Sequence, residues 1–136
     1  MRRWNGWGDT THSEGLDGNA AAFLIERLGA GRPRPDATRE QALAAVPDSR
    51  LSAAAGLDTD AGARCDHARG QSFPDWVAMR AGRLGPYPDA VAFPEDHDQV
   101  AALLGQARKP GAVVVPYGGG TSVVGHLNAN SGDDRP

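Results

Sequence analysis

Three consecutive glycines constrain this chain more than any other feature. Gly118-Gly119-Gly120 follow Ala112-Val113-Val114-Val115-Pro116-Tyr117 and precede Thr121-Ser122. The β-branched run reads as a buried strand. It stops at Pro116 and opens into backbone without Cβ atoms, which can take positive φ and let a ligand come close. Successive N–H groups in such a turn can form an anion-binding concavity. Thr121 and Ser122 add hydroxyls, and no Asp or Glu occurs from Lys109 through Gly132 to repel an anion. A strand feeding a glycine-rich, hydroxyl-tipped loop suits a pyrophosphate. A plain tight hairpin is the competing reading, because short glycine motifs recur by chance.

Two familiar phosphate loops do not apply. A Walker A loop ends in Gly-Lys-Ser/Thr, and no lysine stands here. A dinucleotide fingerprint starting at Gly118 needs Gly or Ala at the position of Val123. The stretch from Val123 to Gly132 has no helical period, so the loop itself, not a helix N-terminus, would hold the phosphates.

Upstream of the loop the pattern is strand, helix, strand. Asp89-Ala90-Val91-Ala92-Phe93 reads as a strand closed by Pro94. Glu95, Asp96 and Asp98 suit the start of a helix whose apolar stripe is Val100, Leu103, Leu104 and Ala107. Arg108 and Lys109 suit its end, and Pro110-Gly111 stop it. The spacing is that of a βαβ unit, which predicts a parallel pair with a right-handed crossover.

The first part of the chain is helical and loop-rich. Residues 1–18 are polar and glycine-rich and read as a flexible arm with Trp4 and Trp7 as two aromatic anchors, a disordered tail being the competing reading. Asn19 is the expected cap of a helix over residues 20–28, with Gly29 its stop. Gly31-Arg32-Pro33-Arg34-Pro35 reads as a linker, and Asp36 as the cap of a helix over residues 37–45 in which Leu43 is the main apolar contact. Ser49 to Ala55 is expected to add a helical turn. Residues 58–70 show no apolar period and read as a solvated loop; Cys65, Asp66 and His67 are adjacent, which does not suit convergence on one metal. A helix is expected from Pro74 or Asp75 to Gly82, with Trp76, Met79 and Arg80 on one face. Pro86-Tyr87-Pro88 forms a stiff boundary.

Composition excludes several classes of function. The chain has 136 residues, 18 Gly, 10 Pro and a net charge of −3. Large apolar residues are sparse between Leu28 and Trp76, so a weak core is expected. No basic patch is interleaved with aromatics, which argues against nucleic acid. No apolar run approaches the roughly 20 residues of a membrane span. Met1-Arg2-Arg3 is not followed by an apolar region, so it is not a secretory signal. One cysteine rules out an internal disulfide and is consistent with a reducing compartment, so a cytoplasmic location is expected.

Pro116-Tyr117-Gly118-Gly119-Gly120-Thr121-Ser122-Val123-Val124-Gly125, with the preceding Pro88-Asp89-Ala90-Val91-Ala92-Phe93-Pro94, resembles the FAD-binding domain of the vanillyl-alcohol oxidase/p-cresol methylhydroxylase (PCMH-type) superfamily. Within it, Arg3-Trp4-Asn5-Gly6-Trp7-Gly8 and Arg69-Gly70-Gln71-Ser72-Phe73-Pro74-Asp75 are similar to the alkyldihydroxyacetonephosphate synthases and their bacterial FAD-linked oxidase relatives. The resemblance implies an α+β (α/β-like) architecture. Residues 1–84 would be an N-terminal arm and helical region, and residues 85–136 the start of a truncated PCMH-type FAD-binding domain.

The resemblance also assigns roles. Gly118, Gly119 and Gly120 would bring backbone N–H groups to the FAD diphosphate, Thr121 and Ser122 would donate hydroxyl hydrogen bonds, and Pro116 and Tyr117 would set the loop's exit, with Tyr117 flanking the cofactor. A solvated loop residue is the first reading for His126. A polar contact near the flavin comes next, and last the covalent flavin link that some superfamily members make through a histidine. The activity implied is either exchange of an acyl group for a fatty alcohol through a flavin adduct in ether-lipid synthesis, or 2-hydroxy-acid oxidation. The substrate would be a small molecule or lipid precursor, and homodimerisation an expectation for the longer relatives. As a fragment, the chain is expected to be inactive and not to retain FAD alone. The alternative is a non-enzymatic remnant that binds no cofactor or needs a partner to complete its sheet.

Overall fold

The computed structural model describes residues 3–12, 15–32, 34–52, 54–129 and 132–136. Pro33 of the expected linker, Ala53 of the expected helical turn, and Asn130 and Ser131 of the tail lie outside the described residues, as do Met1 and Arg2. Among the described residues five α-helices form: α1 (Gly18–Leu28), α2 (Arg39–Ala44), α3 (Ala61–Asp66), α4 (Phe73–Arg80) and α5 (His97–Arg108).

The helix starts are set by side-chain acceptors, in several cases not the ones expected. Asp17, not Asn19, caps α1: its carboxylate accepts from the amides of Asn19 and Ala20, and its charge suits the helix N-terminus better than an amide would. Gly29 ends the helix at φ 80°, as its lack of Cβ allows. Thr38, not Asp36, caps α2 through a reciprocal box with Gln41. Asp36 turns instead to Asn5 Nδ2 at 3.2 Å and lies 3.5 Å from Arg80 NH1. Ser72 and Asp75 make the same kind of box at α4, which starts that helix at Phe73. Asp96 caps α5 by accepting from the Gln99 amide.

α3 overturns the reading of residues 58–70 as a solvated loop. Asp60 caps it, and Arg64 and Cys65 face inward. Its buried face shows no apolar period because one of its members is an arginine. Arg64 is buried with its charge satisfied: Nε donates to the Pro88 carbonyl and NH1 to the Pro47 carbonyl, each at 2.7 Å. Residues 49–52 and 54–55 contain no helix.

The core is small, as the sparse apolar residues lead one to expect. Ala42, Cys65, Ala68, Met79 and Leu84 form it, with Trp4, Leu43, Val46, Trp76 and Tyr87 packed around. Ala42, rather than Leu43, is the deepest point of α2. α1 and α5 bury none of their residues, and Leu28 is 79% exposed.

The parallel strand pair is not formed among the described residues. One antiparallel bridge joins Asp58 and Val91, through N–H···O bonds of 2.7 and 2.8 Å. The run Val113–Val115 has no ladder; Val113 N–H donates to the Pro136 carbonyl, and Val114 is 52% exposed. A strand persists only where a second strand takes its backbone groups. The intervening helix, by contrast, supplies its own hydrogen bonds and forms over nearly the expected residues.

Candidate functional site

The glycine loop is held from beneath. Tyr117 folds back so that its hydroxyl donates to the carbonyls of Arg69, at 3.2 Å, and Asp66, at 3.3 Å. The His67 ring meets it edge-on at 4.7 Å and meets Phe93 at 5.4 Å. Gly120 sits against that ring at φ 68°, and a Cβ there would lie 2.7 Å from Tyr117 Cζ. Gly120 is therefore glycine for reasons internal to the fold.

Gly118 and Gly119 differ from it. Neither has positive φ; a Cβ on Gly118 would meet nothing within 4 Å, and one on Gly119 would only touch Thr121 Cγ2 at 3.7 Å. Both are exposed. Among the described residues, the amides of Gly118 and Thr121 have no protein acceptor. Pro116 is exposed at the loop entrance. Ser122 is engaged on the far side: its carbonyl accepts from the Gln71 amide at 2.6 Å, and its Oγ lies 3.1 Å from His126 Nδ1.

The N-terminal arm comes to the same place. Trp4 packs on the core and Asn5 is buried against Asp36, which delivers Gly6-Trp7-Gly8 to the loop. A cleft of about 190 Å³ lies between them, lined by Gly6, Trp7, Gly8, Gln71, Gly119 and Thr121. None of these residues is charged. A broader hollow of about 690 Å³ lies elsewhere, beside Gly56–Asp60 and Phe93, but Asp58 and Asp60 in its wall would repel an anion. Of the seven residues singled out from sequence, Gly119 and Thr121 line the cleft. The sequence pattern assigns no site role to Trp7 or Gln71, although both stand inside the motifs Arg3–Gly8 and Arg69–Asp75.

Behind the loop sits a buried carboxylate. Asp75 is 0% exposed and accepts from Ser72 N at 3.1 Å, Ser72 Oγ at 2.6 Å and Asn128 Nδ2 at 2.9 Å, with Arg69 NH1 at 3.6 Å. Burial pushes its carboxyl up. The side-chain bonds from Ser72 and Asn128, the Ser72 amide and the Arg69 charge outweigh that and hold it below its ordinary value. The node ties the start of α4 to the segment after the glycines.

Residues 88–132 match a family described as an FAD binding domain. The alkyldihydroxyacetonephosphate synthase of Trypanosoma brucei brucei is 28% identical, over 98% of this chain and 27% of its own length. That of Dictyostelium discoideum is 31% identical, over 82% of this chain and 18% of its own length. A solved structure of an alkyldihydroxyacetonephosphate synthase superposes with a TM-score of 0.71 at 24% identity, over 97% of this chain and 29% of that one, a likeness of fold. The chain thus spans less than a third of the length of each of these proteins.

Proposed function

Since the chain belongs to the PCMH-type FAD-binding oxidase family, whose cofactor is FAD, we propose that its glycine loop holds the FAD diphosphate. The observation that carries this reading is the division of the three glycines. Gly120 is required by its own φ and by Tyr117, whereas no described residue stands where a Cβ on Gly118 or Gly119 would clash. Their bareness suits the approach of something from outside. The amides of Gly118 and Thr121 and the Thr121 hydroxyl are donors without a competing carboxylate in the cleft wall. When bound, FAD supplies the electron-accepting ring that the protein's own side chains lack. The chain's part is grip: amides to phosphate oxygens, and a loop held by the Tyr117 ring, the Gln71 backbone amide and Asp75.

For the whole protein we assign the synthase-like reaction, with a lipid-precursor substrate, ahead of 2-hydroxy-acid oxidation. The similarity to the synthases over most of the chain supports that order. We further assign the segments 89–93 and 112–115 to a parallel βαβ unit that forms when other strands pair alongside. Titration with FAD, followed by flavin fluorescence, tests the central reading. Saturable, weak binding by the chain, lost in Gly119→Val with the fold retained, is the expected result. Absence of binding at any attainable FAD concentration would overturn it in favour of a non-enzymatic remnant.

A further inference from the structure

We infer that the N-terminal arm is the second wall of the cofactor cleft, with Trp7 and Gln71 facing the glycine loop across the diphosphate. The inference rests on the reading that the loop binds that diphosphate. The two tryptophans of Arg3–Gly8 are used differently: Trp4 packs on the core, while Trp7 stays 52% exposed in the wall of the cleft. Leaving so large an apolar surface in water forgoes burial energy that a bound ligand would recover. Gly6 and Gly8 flank it; Gly8, at φ 85°, is glycine for its own backbone, and a Cβ on either would meet nothing within 4 Å. The arm is positioned rather than loose. Asn5 Nδ2 donates to Asp36, and the Arg3 amide donates to the Gly8 carbonyl at 3.0 Å, closing the turn that presents Trp7.

The polar chemistry of the wall has one sign. An indole N–H can only donate. Trp76 Nε1 donates to Gln71 Oε1 at 2.6 Å, which occupies the acceptor end of that amide and leaves its NH2 as the available end. The Trp7 indole, the Gln71 NH2 and the Thr121 hydroxyl and amide belong to residues that line the cleft, the Gly118 amide precedes the lining residue Gly119 in the chain, and no carboxylate is among the lining residues. Such a wall suits the oxygens of a diphosphate, and the Trp7 ring excludes water that would weaken those bonds.

Two probes test this on the complete chain by ¹H–¹⁵N NMR: inorganic pyrophosphate and ADP, each titrated to millimolar concentration. The Trp7 indole and Gln71 side-chain signals are expected to shift along the same saturation curve as the Gly118 and Thr121 amides, while the Trp4 indole stays still. Trp7→Ala is expected to weaken binding about tenfold. Trp7→Phe, which keeps the ring and loses the indole N–H, assigns the indole signal and serves if the alanine variant fails to fold. Loop amides that titrate while the Trp7 indole does not would overturn the inference and leave the loop reading standing. Loop amides that never shift with either probe would overturn both.

Discussion

Asn128 donates its side-chain N–H to Oδ1 of Asp75 at 2.9 Å, and so fastens the segment after the glycines to the cap of α4. Asp75 has three further neighbours in Ser72 N, Ser72 Oγ and Arg69. Asp75→Ala strips all of them of their acceptor in a buried site, and the expected loss is about 3 kcal/mol. Urea unfolding measures it. A loss under about 1 kcal/mol would mean that the node does not hold the fold.

Acid should release the same node. Burial pushes the Asp75 carboxyl up, but its donors from Ser72 and Asn128 and the Arg69 charge leave it below its ordinary value. Asp89 behaves alike: burial raises it, and Arg50, by side chain and amide, with Arg64 behind, brings it down further. Both groups have lower values folded than unfolded, so their stabilisation is complete above the unfolded carboxylate range, about pH 4, and drains away as pH falls through the folded values. Melting temperature should hold steady in mildly acidic buffer and drop below about pH 4. A chain whose melting temperature rises there would refute the assignment.

The glycines of the loop should separate in mutagenesis. Gly120→Ala forces a side chain into left-handed backbone and against Tyr117, with an expected loss of at least about 1–2 kcal/mol. Gly118→Ala should leave stability within about 0.5 kcal/mol of wild type. Thermal melts of the two variants decide the matter; equal losses would contradict the division.

Cys65 should be silent in the folded chain. It is 2% exposed, and burial, reinforced by the Asp66 charge, pushes its thiol up against the smaller opposing effect of Arg39. Ellman's reagent at neutral pH should react only after denaturant is added. Full labelling within minutes in native buffer would show that the core opens.

How much of the molecule is legible in its sequence depends on how local each cause is. α5 is legible because its acids, apolar stripe and terminal cations all lie within one stretch. Gly29 is legible as a stop for the same reason. α3 is not, because its inward face carries Arg64, whose partners Pro47 and Pro88 stand far away in sequence. The two expected strands rest on propensity alone, but pairing is a property of neighbours, and Val113–Val115 lack a strand partner among the described residues. The glycine loop stands out in the sequence as a candidate. The cleft beside it does not, because nothing in the spacing of Gly118–Gly120 indicates that Trp7 lines a cleft with Gly119 and Thr121.

Arg64 carries a consequence for anyone who would recombine this chain with a cousin. One planar, five-donor group joins the Pro47 carbonyl to that of Pro88, and a lysine's single ammonium cannot copy that fork. A chimera spliced between the helical half and the loop-bearing half would therefore have to keep an arginine there, however freely its surface were redrawn.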